Sequence, residues 1–395
     1  FQWVSNDLPV YQNRPKFRTY DVQTKVVETA KETIYRDVAQ IQSVTEDVTV
    51  RIMSDAAGAT VSYNTYSDAI IDAGTLNIST KRDAVLSGLI KTTGNLTVDA
   101  DRDMSLASTR TQVVNGETLP LATSELQVGN DLVITAARSS TFDQASLMTV
   151  TGDAAITTGA DFTHKGELAA VGNVVVRAGD DITERGKLRA VDITLAAGTD
   201  GTGGIMTTLT ADIVATSSGG LGDLFASAGA VSGDVTFTES RILVNRNIEL
   251  TASAGALYAN GTYVDAKNAT LRSAGDIRGD LTGAGAFLLH ADTLDAVVSG
   301  SGELWLENGV RSGSENADLQ ITQATTAANS IRLIVDGNVA ADLVRAGPAA
   351  AGATLYNASI TTPLGFDGVR ISETNAATRN ITINKVYGAV VALNA

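Results

Sequence analysis

A short phrase returns along this chain and limits its fold more than any other feature. It is a Gly or small polar residue, often followed by Asn or Asp, then apolar–any–apolar, then Ala or Thr. It reads GNLTVDA from Gly94, GDAAITT from Gly152 and GNVVVRA from Gly172. Looser copies begin at Gly74, Asn130, Val191, Arg246 and Lys267, and others at Gly233, Gly285, Gly302, Asn329 and Arg379. Recurrence at a period of roughly 20 residues marks a stacked repeat. Inside each copy two apolar residues stand two apart, as in Leu96 and Val98, Val174 and Val176, or Ile248 and Leu250, with polar residues between and after them. That is the alternation of a strand with one buried face.

A second apolar point follows each copy at Met104, Phe162, Ile182, Ile277 and Val339, so each repeat carries two short inward-facing stretches separated by a turn. Gly-Asp, Asn-Gly and Asp-Gly pairs, such as Gly152-Asp153, Gly179-Asp180 and Gly275-Asp276, punctuate them. A unit this small cannot bury an apolar face alone and must stack on its neighbours. The pattern therefore predicts an all-β chain folded as a right-handed parallel β-helix, a β-solenoid, with coils of about 20 residues. A string of β-sandwich domains is the competing fold. It would repeat near 100 residues around buried aromatic anchors, whereas this sequence of 395 residues has 2 Trp and 5 Pro.

Residues 1–60 differ from the rest. They are denser in charge, and Val27, Ala30, Ile34, Val38, Ile41, Val44 and Val48 follow a helical period. This predicts a helix there, followed by a strand over Asp47–Ile52, the whole acting as an N-terminal cap, connector or assembly segment ahead of a shaft over residues 61–395. Departures from the repeat at 107–129, 197–205, 216–232, 307–316 and 345–352 read as loops or irregular coils. With no Met or signal sequence at Phe1 and no polar cap in the final residues, the chain reads as a processed or partial polypeptide.

The phrases GNLTVDADRDMSLAS, GDAAITTGADFTHKGELAAVG, GNVVVRAGDDITERGKLRAV and NATLRSAGDIRGDL resemble the repeats of filamentous haemagglutinin-type exoproteins. These are large bacterial adhesins exported by two-partner secretion, with shafts of right-handed parallel β-helix. The resemblance runs from about Gly74 to Leu281, and less closely beyond. It implies a surface-exposed or secreted fibre mediating adhesion or cell contact, and it supplies no catalytic residues.

Composition is compatible with that picture. The net charge of −15, with basic residues scattered, argues against a nucleic-acid partner. The absence of Cys excludes disulfides, zinc–thiolate sites and thiol catalysis. No apolar run is long enough for a membrane span. The expected location is extracellular, on a bacterial surface or secreted. The expected partners are other copies joined end to end, or the glycans and proteins of a neighbouring cell.

β-Helices also carry polysaccharide-degrading enzymes, which need two positioned carboxylates. Asp180 with Asp181, and Asp161 with Glu184 on adjacent coils, are the pairs to examine. Against them, Asp after Gly commonly caps its own turn. The expectation is no catalytic set and no cofactor, with His164 and His290 as solvated or coil-edge residues. Asp99, Asp101 and Asp103 resemble the opening of a calcium loop but lack its Gly and terminal Glu. They are the metal candidates. Trp305 falls at an outward position between Leu304 and Leu306, with Tyr258 and Tyr263 elsewhere near turns. An exposed aromatic there would contact a partner, unless neighbouring residues cover it. The Gly198–Gly204 stretch lacks the Lys-Ser/Thr of a phosphate-binding loop. A rigid adhesive fibre segment is the leading expectation, a self-assembling filament or surface-layer subunit the second, and a polysaccharide-active enzyme the third.

Overall fold

The computed structural model describes residues 20–24, 34–38, 49–54, 61–62, 70–107, 111–114, 117–120, 124–201, 203–216, 222–229, 233–279, 285–311, 317–351, 353–362 and 381–394. Every regular element among them is a β-strand. The fold is the parallel β-solenoid that the phrase implies, with about 11 coils of roughly 23 residues among the described residues. It falls into two compact units, Phe1–Thr157 and Thr158–Ala395.

In the first unit each coil visits three parallel sheets in turn. The first sheet holds Thr49–Ser54, Thr75–Thr80, Leu96–Ala100 and Leu132–Ala136. The second holds Val61–Ser62, Ala84–Leu86, Met104–Leu106 and Ser140–Phe142, and the third Ile70–Ala73, Leu89–Thr92, Ser124–Val128 and Ser146–Val150. Stacking is in register: Leu76, Leu96 and Leu132 form one column and Ile78, Val98 and Ile134 the next, all buried. An antiparallel hairpin, Thr111–Val114 with Glu117–Pro120, is inserted between the second and third sheets. It stretches the step from Leu96 to Leu132 to 36 residues where the step from Leu76 is 20. Such excursions lengthen the mean coil beyond the expected 20.

The second unit repeats the plan, with Val174, Ile193, Leu224, Ile248, Ala269 and Leu294 as a buried first-sheet column. Its third sheet ends, among the described residues, at Tyr263–Asp265. The next strand in that position, Phe287–Leu289, pairs with Leu304–Asn308 of the second sheet, so the third wall merges into the second. Beyond it the chain alternates between two sheets, with Thr293–Val298, Leu319–Thr326 and Val339–Ala341 on the first, and Leu304–Asn308, Ile331–Val335 and Ala358–Thr361 on the second. Val339 thus belongs to the first sheet, between Leu319 and Ile381, and not with Met104 and Phe162 on the second. The phrases at Gly233, Gly285, Gly302 and Asn329 feed second-sheet strands, because the phrase marks any strand that leaves a tight corner.

Two other expectations are corrected. Ile34–Val38 is a strand paired antiparallel with Tyr20–Thr24, in place of a helix. The β-branched and aromatic residues of IYRDV and YDVQT outweigh their helical spacing. The rest of the expected helix lies outside the described residues. The following strand is present as Thr49–Ser54, the first rung of the first sheet. Within 216–232, read as a loop or irregular coil, Asp223–Ala228 is a full rung between Ile193–Ala196 and Asn247–Ala252.

The corners explain the Gly-Asp punctuation. A Cβ on Gly255 would stand 2.0 Å from the carbonyl oxygen of Gly233 on the previous coil, and one on Gly302 2.1 Å from the carbonyl carbon of Gly275. Only glycine permits that approach. The Asp or Asn beside such a corner caps the following coil, not its own turn. The Oδ1 of Asp161 accepts the N–H of Asp181 at 3.3 Å, that of Asp181 the N–H of Ile205 at 2.8 Å, and that of Asp276 the N–H of Glu303 at 2.9 Å. A second corner runs Asn173 to Asp192, Asp192 to Asp223 and Asp223 to Asn247 in the same way. Many of the chain's aspartates are thus rungs of a side-chain ladder that satisfies backbone donors where the sheets break.

Candidate functional site: the outer face of the second sheet

The carboxylates do not assemble as a hydrolytic pair. Asp161 and Asp181 are exposed corner rungs. Asp180 is half-buried, and its carbonyl accepts the N–H of Gly198 at 2.8 Å. Glu184 points the other way, into the core, fully buried beside His164. His164 Nδ1 lies 2.9 and 3.0 Å from the two Glu184 oxygens, and the Gly186 N–H donates to Glu184 Oε1 at 2.8 Å. His164 is therefore an interior residue, not a solvated or coil-edge one. Strand parity puts it there: Phe162-x-His164 stacks on Ile182-x-Glu184, and both ends of each triplet face inward. A buried charge must be paired or hydrogen-bonded, and each residue is the other's partner. Thr208 stacks on Glu184 from the following coil and donates to Ser240 at 2.9 Å, extending the polar column.

His290 is half-buried at the merger of the third wall. Its Nδ1–H donates to the Val310 carbonyl at 2.7 Å, and its ring lies 4.5 Å from that of Tyr263. The Tyr263 hydroxyl donates to Asp265 at 2.8 Å. Burial, with the Asp265 carboxylate next, pushes the Tyr263 hydroxyl up to about 12.

The calcium candidates do not converge. Asp99 is exposed on the first sheet between Ser79 and Thr135. Asp101 sits 3.7 Å from Lys81, while Asp103 accepts the N–H of Ser139 at 3.2 Å and stands 3.6 Å from Arg138. Among the described residues no three His, Asp or Glu side chains gather to hold a metal ion.

Much of the remaining surface charge is spent between coils. Parallel stacking places equivalent side chains about 4.8 Å apart, so columns of like charge would repel. The third sheet alternates instead. Lys187 pairs with Glu167 at 3.7 Å, and both Arg189 and Arg241 reach Asp212, at 3.2 and 2.9 Å. Arg272 pairs with Asp295 at 2.7 Å on the first sheet, and Arg246 forks onto buried Asp223 at a corner.

The second sheet of this unit is different. Its outward column runs Thr163, Thr183, Thr207, Thr236, Tyr258 and Arg278. Pairing of Ile277 with Leu304 brings Trp305 next, followed by Arg332 and Ser359. Four threonines give way to an alternation of aromatic and guanidinium groups. Arg278 lies over the Tyr258 ring at 6.0 Å and is held by Asp276 at 3.1 Å and Glu303 at 3.4 Å. Arg332 lies over the Trp305 ring at 4.4 Å. Trp305 is half-buried with one face covered by that guanidinium, and its indole N–H is buried without a partner.

Beside the column stand Leu288, Glu307 and Ile334, of which Glu307 is raised above the usual carboxylate range by burial. Burial also raises the Tyr258 hydroxyl. Next to Tyr258 a groove of about 300 Å³ is floored by Gly255, Gly275 and Gly302 and flanked by Asp234 and Asp276. The corner glycines that let the backbones close up also create this trough. Sequence reading found Trp305 and Tyr258 separately. It missed that Arg278 and Arg332 interleave with them, which needs the coil register.

Comparison with protein-family models, with characterised proteins and with solved structures finds no match for this chain.

Proposed function

We propose that this chain is a rigid structural and adhesive segment of an extracellular bacterial fibre, a shaft of the kind found in filamentous haemagglutinin-type exoproteins. The observation that supports it most directly is where the side chains go. Inward residues fill an aliphatic core, corner aspartates cap the next coil, and surface charges pair from coil to coil. A parallel ladder with its polar groups so committed resists extension, and it offers its environment a long outer surface with repeated contacts that add through effective concentration. No catalytic residue, cofactor or bound calcium enters this reading. Electron microscopy of the purified chain over a concentration series, with and without calcium, tests it. Isolated rods that adhere to cells or to immobilised glycans support it, and globular beads overturn it.

Self-assembly of copies end to end, as a filament or surface-layer subunit, is the second reading. Ordered fibres growing with concentration in the same experiment favour this reading over the first.

A further inference from the structure

We propose that the His164–Glu184 pair is an acid-sensitive latch, which keeps the corner between the second and third walls closed and releases the coils around it when the pH falls. The inference goes beyond the structural reading, which asks only that the coils be stiff, by making their stiffness depend on protons. It does not depend on what the shaft adheres to.

The pair stands at the head of a polar seam inside a largely aliphatic core. Second-sheet strands of three successive coils end on His164, Glu184 and Thr208, all buried. In the two coils that follow, Ser240 and Thr262 are buried at the same corner. Ser240 Oγ accepts the Thr208 hydroxyl at 2.9 Å, and the Ser240 N–H donates to Thr262 Oγ1 at 3.2 Å. The corner is fitted to the pair, because a Cβ on Gly186 would stand 2.2 Å from the Gly166 carbonyl oxygen and 3.0 Å from His164 Cε1. From Thr208 onward the corner is one residue longer, since Glu184 and Lys187 stack on Thr208 and Asp212. The backbone is left-handed at Thr210 (φ +54°) in that turn and at Glu239 (φ +47°) in the next. Side-chain-bearing residues hold that conformation only where their surroundings enforce it. A corner with a polar interior and strained turns is where these coils part first.

Burying a net charge is costly, so the closed pair accommodates at most the one proton that leaves it neutral overall. Opened to water, an imidazole and a carboxyl together hold two protons once the pH is below about 4.3. The opened state then binds the extra proton, so closure weakens about tenfold for each further pH unit. Charges on the strands and turns around the pair face away from it. Lys165, Arg177, Arg185, Lys187 and Arg189 are exposed, as are the corner rungs Asp161 and Asp181, and Glu167 lies on the outer face beside Lys187. Among the described residues the other buried carboxylates are Asp223 and Asp265, which are held by Arg246 and by the Tyr263 hydroxyl.

The test is native-state hydrogen exchange of the full chain at about pH 5.5 and about pH 3.3, on either side of the ordinary carboxylate value, with protection corrected for the intrinsic pH dependence of exchange. Leu96–Ala100 and Leu132–Ala136 serve as the reference, because their coils carry corner aspartates but no buried ionisable pair. Protection over Phe162–His164, Ile182–Glu184 and Met206–Leu209 is expected to fall about tenfold more than in the reference. Glu184→Gln keeps an acceptor for the Gly186 N–H but leaves His164 alone to take up the proton. Its onset should therefore move up by about two pH units, to the ordinary imidazole range near 6.5. The double change His164→Leu with Glu184→Met should abolish the excess loss altogether. Equal loss at the seam and in the reference, an onset that Glu184→Gln leaves in place, or an excess loss that survives the double change overturns the proposal.

Discussion

Replacing Glu184 by Ala should destabilise its coils more than any exposed change, because it strands two buried donors together. The His164 Nδ1–H and the Gly186 N–H both end on Glu184, and neither His164 nor Glu184 is exposed at all. Each stranded donor costs about 1–3 kcal/mol. Two of them together come to about 2–6 kcal/mol. The double change His164→Leu with Glu184→Met removes both polar partners and leaves only the Gly186 N–H unpaired, so its cost should fall to about 1–3 kcal/mol.

A repeat array need not unfold in one step, so a single melting midpoint is a poor readout. Native-state hydrogen exchange over Phe162–His164, Ile182–Glu184 and Met206–Leu209 reads the local opening energy directly. At about 1.4 kcal/mol per factor of ten, Glu184→Ala should speed exchange there by two to three powers of ten. The strands of the first unit should be unaffected. The reasoning is refuted if the single change speeds exchange less than threefold, or if the double change costs as much as the single.

Other expectations follow from the corners and the titratable groups. Gly255→Ala forces a Cβ to 2.0 Å from a backbone oxygen. It should cost several times the roughly 1 kcal/mol of Gly201→Ala, whose Cβ meets open space at φ +85°, as compared by urea denaturation. Asp276→Ala removes the acceptor of the Glu303 N–H and one partner of Arg278, and faster exchange at Glu303 with little change elsewhere would confirm it. The Arg246 guanidinium holds the Asp223 carboxyl below its ordinary 3.8. The stability from that pair is therefore complete above pH 3.8 and is lost as pH falls through the lower folded value, a loss that acid titration of Asp223→Asn should lack. For Tyr263 the sign is reversed. Its folded value of about 12 exceeds the ordinary 10, so its contribution is complete below pH 10 and disappears as pH rises toward 12. Asp265→Asn should lower that upper limit in an ultraviolet titration of tyrosinate.

The fold was legible because a strand's period survives any choice of inward aliphatic and the corner requires Gly beside Asx. Leu96-x-Val98 and Gly94-Asn95 are enough to place a rung. What was not legible depends on register between coils. Val339 satisfied the second-sheet pattern but lies on the first, because nothing local announces that the third wall has ended. Asp223–Ala228 was hidden by its glycine-rich flanks and by the small residues Ala226 and Ala228 at inward positions. His164 and Glu184 were misjudged from residue type, although their parity with Phe162 and Ile182 already turned them inward. Arg278 and Arg332 are 54 residues apart in sequence and become members of one column only when three coils are laid over one another.

The loss of the third wall at Asp265 has a mechanical meaning. Three sheets around a core make a prism, which resists bending about every transverse axis in similar measure. From Thr293 onward the coils carry strands in two sheets only, and Leu319–Thr326 is followed by two short strands, Val339–Ala341 and Val344–Ala346, where one long one stood. Fewer continuous ladders carry a sideways load there, so bending of this unit would begin in those coils while the three-walled coils before them hold their line.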